Sequence, residues 1–415
     1  MRIAVIGSGI SGMTAAHLLS SSHQVILFEA GRRIGGHTHT VRVDQPGGRS
    51  YAVDTGFIVF NTATYPNFIR LLKRLGVGWQ PSDMSFSVQC ERTGLVFSPQ
   101  NLDALFVQRR NLLQPGFLRM LVEALRFRRA ARRLMETGDD ATTLGSYLRK
   151  KRYSAKFADQ FLLPMGSAIW SSDPERFRDF PVGYLARFFH NHGFLNVRHQ
   201  PQWLAVRGGS SSYIEPLTRP FQQGIRLNSP VIAVRRDAEA VQVTVAHQPP
   251  ERFDQVIMAT HSNQALDMLV DATDAERAIL GAIPYQENLT VLHTDRRLLP
   301  PQPAAWASWN YHIPRHPTGR VALTYLMNRL QDLDAPEQFL VTLNRPDAVA
   351  PEREITRMVY HHPIYDPAGL KARHQHATIS GHNRTHFCGA YWGYGFHEDG
   401  VNSALAVAAH FGRGL

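Results

Sequence analysis

Gly7, Gly9 and Gly12, spaced G-x-G-x-x-G between two apolar runs, constrain this chain more than any other stretch. Residues 2–6 read as a short buried strand, residues 13–20 as a helix, and residues 24–28 as a second strand ending in Glu29. Strand, glycine-rich turn, helix, strand and acid form the dinucleotide-binding fingerprint in its proper context. Gly7 permits the tight turn, Gly9 lets the backbone approach a pyrophosphate, and Gly12 lets the helix pack on the strand. The helix start, at Ile10 and Ser11, offers free N–H groups to the anion. Glu29 is placed to accept hydrogen bonds from ribose hydroxyls and to repel a 2′-phosphate. The glycines alone would mark only a strand-to-helix turn.

At 415 residues the chain is long enough for two interleaved domains. A hydrophobic content of 43% suits a globular protein, and no apolar run is long enough to span a bilayer. Met1 leads directly into the first strand, so no secretory leader is expected. Cys90 and Cys388 make neither a disulfide framework nor a CxxC site, and the cytoplasm is the expected location. The net charge is +11, with arginines dense between residues 109 and 152. That balance suits an anionic partner such as nucleic acid, an acidic metabolite or phospholipid, and equally suits a solvated basic face.

Further along, residues 41–43 and 50–53 read as a hairpin around Gln45, Pro46, Gly47 and Gly48, and residues 65–75 as a helix. Residues 101–156 read as mostly helical. Met120, Leu121, Ala124, Phe127, Ala131 and Leu134 form an apolar stripe there, with Arg119, Glu123, Arg126, Arg129 and Arg133 opposite. The basic helix 117–135 therefore fits an anionic membrane surface, on the inner face of the membrane, or packing on its own domain. Residues 157–199 are rich in aromatics, including Trp170, Phe177, Phe180, Tyr184, Phe188, Phe189 and Phe194, which suit a cavity wall or a core. Strands at 289–294, 304–311, 320–327, 338–343 and 354–361, separated by proline-rich turns, predict an antiparallel sheet. His361, His362, His374, His376, His382 and His386 complete no metal signature, so no metal is expected.

The run Glu29-Ala30-Gly31-Arg32-Arg33-Ile34-Gly35-Gly36-His37-Thr38-His39-Thr40 resembles the continuation found in flavoproteins of the amine oxidase and phytoene desaturase type. Arg33, Gly35, Gly36 and Thr40 match, whereas His37 stands where that family has arginine. The resemblance implies non-covalently bound FAD, its pyrophosphate and flavin wrapped by this loop from Ala30 to Thr38. It extends to Asp54-Thr55-Gly56, which is similar to a D-x-G near the flavin, and to the Gly208-Gly209-Ser210 helix entry. It continues in the strand whose Val231 backbone would meet adenine, and in the apolar strand ending at Ala259 and Thr260. The last matching stretch runs from Gly389 through Gly400 and Val401, with Tyr391, Trp392 and Tyr394 implied beside the flavin ring. A helix N-terminus there would face the negative charge of reduced flavin.

The implied fold is α/β: a Rossmann-type FAD-binding domain with a discontinuous second domain of helices and antiparallel sheet. Its FAD-binding segments would be 1–80, 201–280 and 381–415, with a helical substrate or membrane region at 81–200 and the sheet at 281–380. The expected sheet strands hold no lysine, although many amine oxidases carry one there, which counts against amine oxidation. Tyr285 to Asn288 and Gly389 to Gly400 look most similar to a bacterial amine oxidase-like group that includes fatty acyl desaturases. The expected function is therefore FAD-dependent removal of hydride from a carbon of a lipid-like substrate to flavin N5. The alternatives are an amine oxidase, or a non-catalytic nucleotide- or nucleic-acid-binding protein. Basic charge without a nucleic-acid-binding motif leads to no nucleic-acid partner being expected. No residue is assigned as catalytic, the candidates being His293, Trp309, Tyr391 and Tyr394; Trp306 is a further aromatic of the same sheet.

Overall fold

A computed structural model describes residues 1–45, 47–137, 140–195, 201–316 and 318–415. Pro46 of the expected turn, positions 138 and 139 of the stretch read as helical, and 196–199 of the aromatic stretch lie outside the described residues.

Three separated parts of the chain meet in one five-stranded parallel sheet. Its order is Ile225–Arg226, β2 (Gln24–Phe28), β1 (Arg2–Ile6), Gln255–Met258 and Thr385–Phe387. Ile3, Ala4, Val5 and Ile6 are buried, as strands covered on both faces require. Helix α1 (Ile10–Leu19) crosses over β1 and packs against the last helix, His397–His410. Gly7 has φ +103°, and a Cβ on Gly12 would lie 2.0 Å from the Gly7 carbonyl oxygen. Both positions therefore need glycine, one for its backbone conformation and one for close approach.

The second sheet has seven strands, in the order Glu354–Pro363, Tyr285–His293, Leu340–Leu343, Leu323–Leu326, Trp309–Ile313, Phe86–Cys90 and Leu95–Phe97. Five are the expected strands, with shifted ends; the one expected at 304–311 starts at Trp309 because Pro303–Ala305 forms a short 3-10 turn. The other two lie in the stretch expected to be helical. Phe86–Cys90 pairs in parallel with Trp309–Ile313, so this is a mixed sheet rather than a purely antiparallel one.

The helix Pro115–Thr137 buries Phe117, Met120, Phe127 and Ala131. Glu123 does not face outward with the arginines. It is 4% exposed, accepts hydrogen bonds from the Ser154 amide and hydroxyl, and pairs with Arg119 at 3.0 Å. It lies three residues after Met120 and four before Phe127, which puts it on the inward face. Leu118, Val122 and Leu125 take the outward positions. Among the described residues, no helix is long and apolar enough to cross a membrane.

Candidate active site

Residues of both sheets line one cavity of about 620 Å³, within the range of cofactor sites. At its first end lie Gly7, Gly9, Ile10 and Ser11. Gly9 caps α1 in an extended conformation with no side-chain hydrogen bond, leaving the helix N-terminus to the cavity. A Cβ on Gly9 would meet nothing within 4 Å. The Glu29 carboxylate is fixed above the turn by the Ser8 amide at 3.2 Å and the Gly31 amide at 2.8 Å. Ala30, Val231, Ala259 and Thr260 line the same cavity.

The loop after Glu29 lies directly on the glycine turn: a Cβ on Gly36 would come 3.1 Å from the Gly9 Cα. Gly35 and Gly36, both with positive φ, line the cavity with His37 and Gly56. Arg33 stands behind them and holds the loop, donating to the carbonyls of Thr38 at 3.1 Å and Gly36 at 2.8 Å. Thr38 bonds the Tyr213 hydroxyl and His397 Nε2. Asp54 is fully buried away from the cavity, accepting from the Ser210 amide at 2.9 Å and from Gln331 Nε2 at 3.1 Å. It thereby ties the hairpin to the Gly209-Ser210 entry, and burial pushes its carboxyl up to about 7. Thr55 bonds the Tyr360 hydroxyl at 2.8 Å.

The closing segment behaves similarly. Gly389 is in the cavity wall, while Gly400 is pressed on α1, where a Cβ would meet Ile10 Cγ2 at 2.7 Å. Val401 is fully buried in the core between these helices. Gly395, Phe396 and His397, at the N-terminus of the last helix, line the cavity. Asp399 caps that helix by accepting from the Phe396 amide at 3.0 Å, and burial holds its carboxyl up to about 7.

Of the catalytic candidates, Trp309, Tyr391 and Tyr394 line the cavity. His293 is not among its described lining residues. It is fully buried inside the seven-stranded sheet, with Nε2 2.7 Å from the Thr342 hydroxyl and Nδ1 accepting from the Asp295 amide. Burial pushes its imidazole down to about 4. Trp306 donates to the Pro300 carbonyl at 2.8 Å, also outside the described lining.

Sequence reasoning did not single out His261 or Tyr285 as site residues, nor group His362 with them. His261 follows the Ala259-Thr260 strand end and stacks on Tyr285 at 4.6 Å between ring centroids. His362 bonds Asn288 Nδ2 at 2.9 Å and lies 5.3 Å from the His37 ring. Burial, then neighbouring histidines, push His37 and His261 down to about 3 and His362 to about 4. The position of His261 directly after a matched motif was the signal available in the sequence.

FAD fits this wall. A helix N-terminus and glycine turn suit the pyrophosphate, Glu29 the ribose, and the aromatic far end a flavin ring. His37 Nε2 and Trp309 Nε1 are buried without a hydrogen-bond partner, as expected of wall groups that meet a ligand.

The family model for flavin-containing amine oxidoreductases matches residues 10–334. An L-amino-acid oxidase from Siganus canaliculatus is 23% identical over 308 residues, 70% of this chain and 56% of that protein. One from Gloydius blomhoffii is 25% identical over 291 residues, 63% of this chain and 52% of the other. The chain spans about half the length of these curated relatives. Among solved structures, cyclohexylamine oxidase from Brevibacterium oxydans has a TM-score of 0.70 at 18% identity, covering 99% of both chains. A CLA-producing fatty acid isomerase from P. acnes has a TM-score of 0.68 at 17% identity, covering 99% of this chain and 98% of its own. These likenesses show the fold. With a family match over well more than half its length and a cavity shaped for a dinucleotide, the chain belongs to the flavin-containing amine oxidoreductases, and FAD is its cofactor.

Proposed function

We propose that this protein is an FAD-dependent oxidoreductase that removes hydride from one carbon of an apolar, lipid-like chain, while the adjacent carbon loses its proton to a neutral imidazole of the cavity wall, leaving a double bond. The observation that carries this reading is a second cavity of about 840 Å³ that shares Ile169 and Trp309 with the first. Bound FAD supplies the two-electron acceptor, flavin N5. The chain's own residues supply orientation and dryness. Ile169, Trp170, Trp309, Tyr325, Tyr394 and Phe396 form an apolar and aromatic wall. Such a wall holds an alkyl chain by contact area and excludes water. Glu29, Asp267, His37, His261, His361 and His362 are polar or titratable residues of the same lining. Burial holds the Tyr391 hydroxyl well above 10 and therefore protonated.

Amine oxidation is the second reading. It is favoured by family membership and by an aromatic wall able to hold a cation over its rings. The holoenzyme incubated separately with phospholipids and with amines separates the two. Acyl chains lighter by two hydrogens in mass spectrometry support desaturation. Carbonyl product and released ammonia from amines, with unchanged acyl chains, overturn it. The proposed place of work is the cytoplasmic face of a membrane, reached peripherally.

A further inference from the structure

The helix Pro115–Thr137 carries two apolar faces. Its inner face is core, but Leu118, Val122 and Leu125 are 40%, 64% and 50% exposed. At 3.6 residues per turn, these three fall with Arg129, Arg132 and Arg133 inside one strip about 100° wide. The outward strip is thus apolar over its first half and net basic over its second, where the exposed Arg129, Arg132 and Arg133 outnumber one exposed acid, Glu136. The preceding turn adds Leu112 and Leu113, 47% and 86% exposed, beside the exposed Arg109 and Arg110. Five exposed apolar side chains rimmed by arginines, on a chain of net charge +11, form a surface complementary to negative charge above a hydrocarbon layer.

This strip is continuous with the second cavity. Leu125 belongs to both: half-exposed on the strip, it also lines the cavity beside Ala124, Phe127 and Arg128. Deeper in, Phe157, Phe161 and Met165 line the cavity on its way to Ile169 and Trp309, the residues shared with the cofactor cavity. We propose that the strip from Leu118 to Arg133 seats this helix on an anionic phospholipid bilayer, and that the cavity beneath it takes one acyl chain, entering beside Leu125. The identity of the occupant rests on the lipid reading given above. Arginines meet the headgroups while the leucines enter the acyl boundary. The chain then leaves the bilayer without crossing water, and Trp309 stands where it reaches the flavin side.

The test uses FAD-loaded protein, with flavin absorbance confirming that each variant is folded and loaded. Wild type should co-sediment with phosphatidylcholine vesicles containing phosphatidylglycerol, and much less with phosphatidylcholine alone. Leu118→Ser with Val122→Ser and Leu125→Ser should weaken that binding by about a hundredfold, from lost apolar burial. Arg129→Glu with Arg133→Glu should weaken it by at least about tenfold. Ala124→Trp should fill the cavity, leave vesicle binding unchanged and abolish binding of the fluorescent polyene fatty acid cis-parinaric acid. Unchanged vesicle binding in the triple serine variant overturns the proposal. So does a solution dimer broken by that variant without vesicle binding, or unchanged parinaric acid binding in Ala124→Trp. If docking and chain binding behave as stated but no acyl chain loses hydrogen, the site stands and the oxidation reading falls. If detergent-dispersed lipid is desaturated without vesicle binding, the reading stands and the docking falls.

Discussion

His37 stacks on Tyr360 with ring centroids 5.0 Å apart, joining the loop after the glycine turn to the edge strand of the seven-stranded sheet. One contact thus couples the glycine-turn end of the cavity to the seven-stranded sheet. His37 Nε2 is buried without a partner, so replacing the ring removes no internal hydrogen bond at that atom. His37→Ala should lower FAD affinity about tenfold, roughly 1.4 kcal/mol. Titration of apoprotein with FAD checks this, and unchanged affinity would remove His37 from the cofactor contacts.

Gly9 and Gly12 should fail in different ways. Gly9→Asp places a carboxylate in open space against the pyrophosphate, so the protein should fold but retain no FAD. Gly12→Val drives a side chain into the Gly7 carbonyl and should prevent stable folding. Circular dichroism and flavin absorbance on both proteins distinguish the two outcomes.

The neutral histidines predict a pH dependence. His37, His261 and His362 are held down at about 3, 3 and 4, below the ordinary 6.5. As pH falls below 6.5 the unfolded chain takes up these protons first. Their contribution is therefore complete above 6.5 and is lost as pH falls towards about 4. Asp54 and Asp399, held up at about 7, act in the opposite direction, and they cancel when two variants are compared. Relative to wild-type apoprotein, His261→Asn should gain about 1.4 kcal/mol per pH unit through that window. Denaturant unfolding at stepped pH measures the difference, and parallel curves would contradict it.

Arg236 and Glu276 form an ion pair with both side chains 3% exposed, at 2.5 and 2.9 Å, and Arg236 also reaches Asp271 at 3.0 Å. Removing one partner leaves a buried charge uncompensated. Arg236→Ala should cost about 3–5 kcal/mol, read from chemical denaturation. Arg236→Ala with Glu276→Ala should recover part of that loss.

The cofactor side of the site was legible in the sequence because its devices are local. A tight turn, a helix start and an acid at a strand end each follow from a few adjacent residues, and Gly7, Gly9 and Glu29 sit where those rules put them. Arg33, Asp54 and Gly400 belong to the same motifs yet act from behind the wall, since a motif fixes neighbourhood and not which atoms face a ligand. The part of the cavity built by the seven-stranded sheet depends on distant pairing. Trp309 reaches the cavity through a sheet that includes Phe86–Cys90, more than two hundred residues earlier, and no local pattern distinguishes it from His293. Periodicity identified one apolar face of the helix Pro115–Thr137, but Glu123 turns inward, where Ser154 offers its carboxylate hydrogen-bond donors, and Leu118, Val122 and Leu125 face outward.

The most direct measurement is anaerobic titration of the purified, FAD-loaded protein while its visible flavin absorbance is followed. A phospholipid with an unsaturated acyl chain should bleach the flavin stoichiometrically, and the recovered chain should carry one more double bond. Bleaching by cyclohexylamine or an amino acid, with none by the lipid, would contradict the account and assign the cavity to amine oxidation.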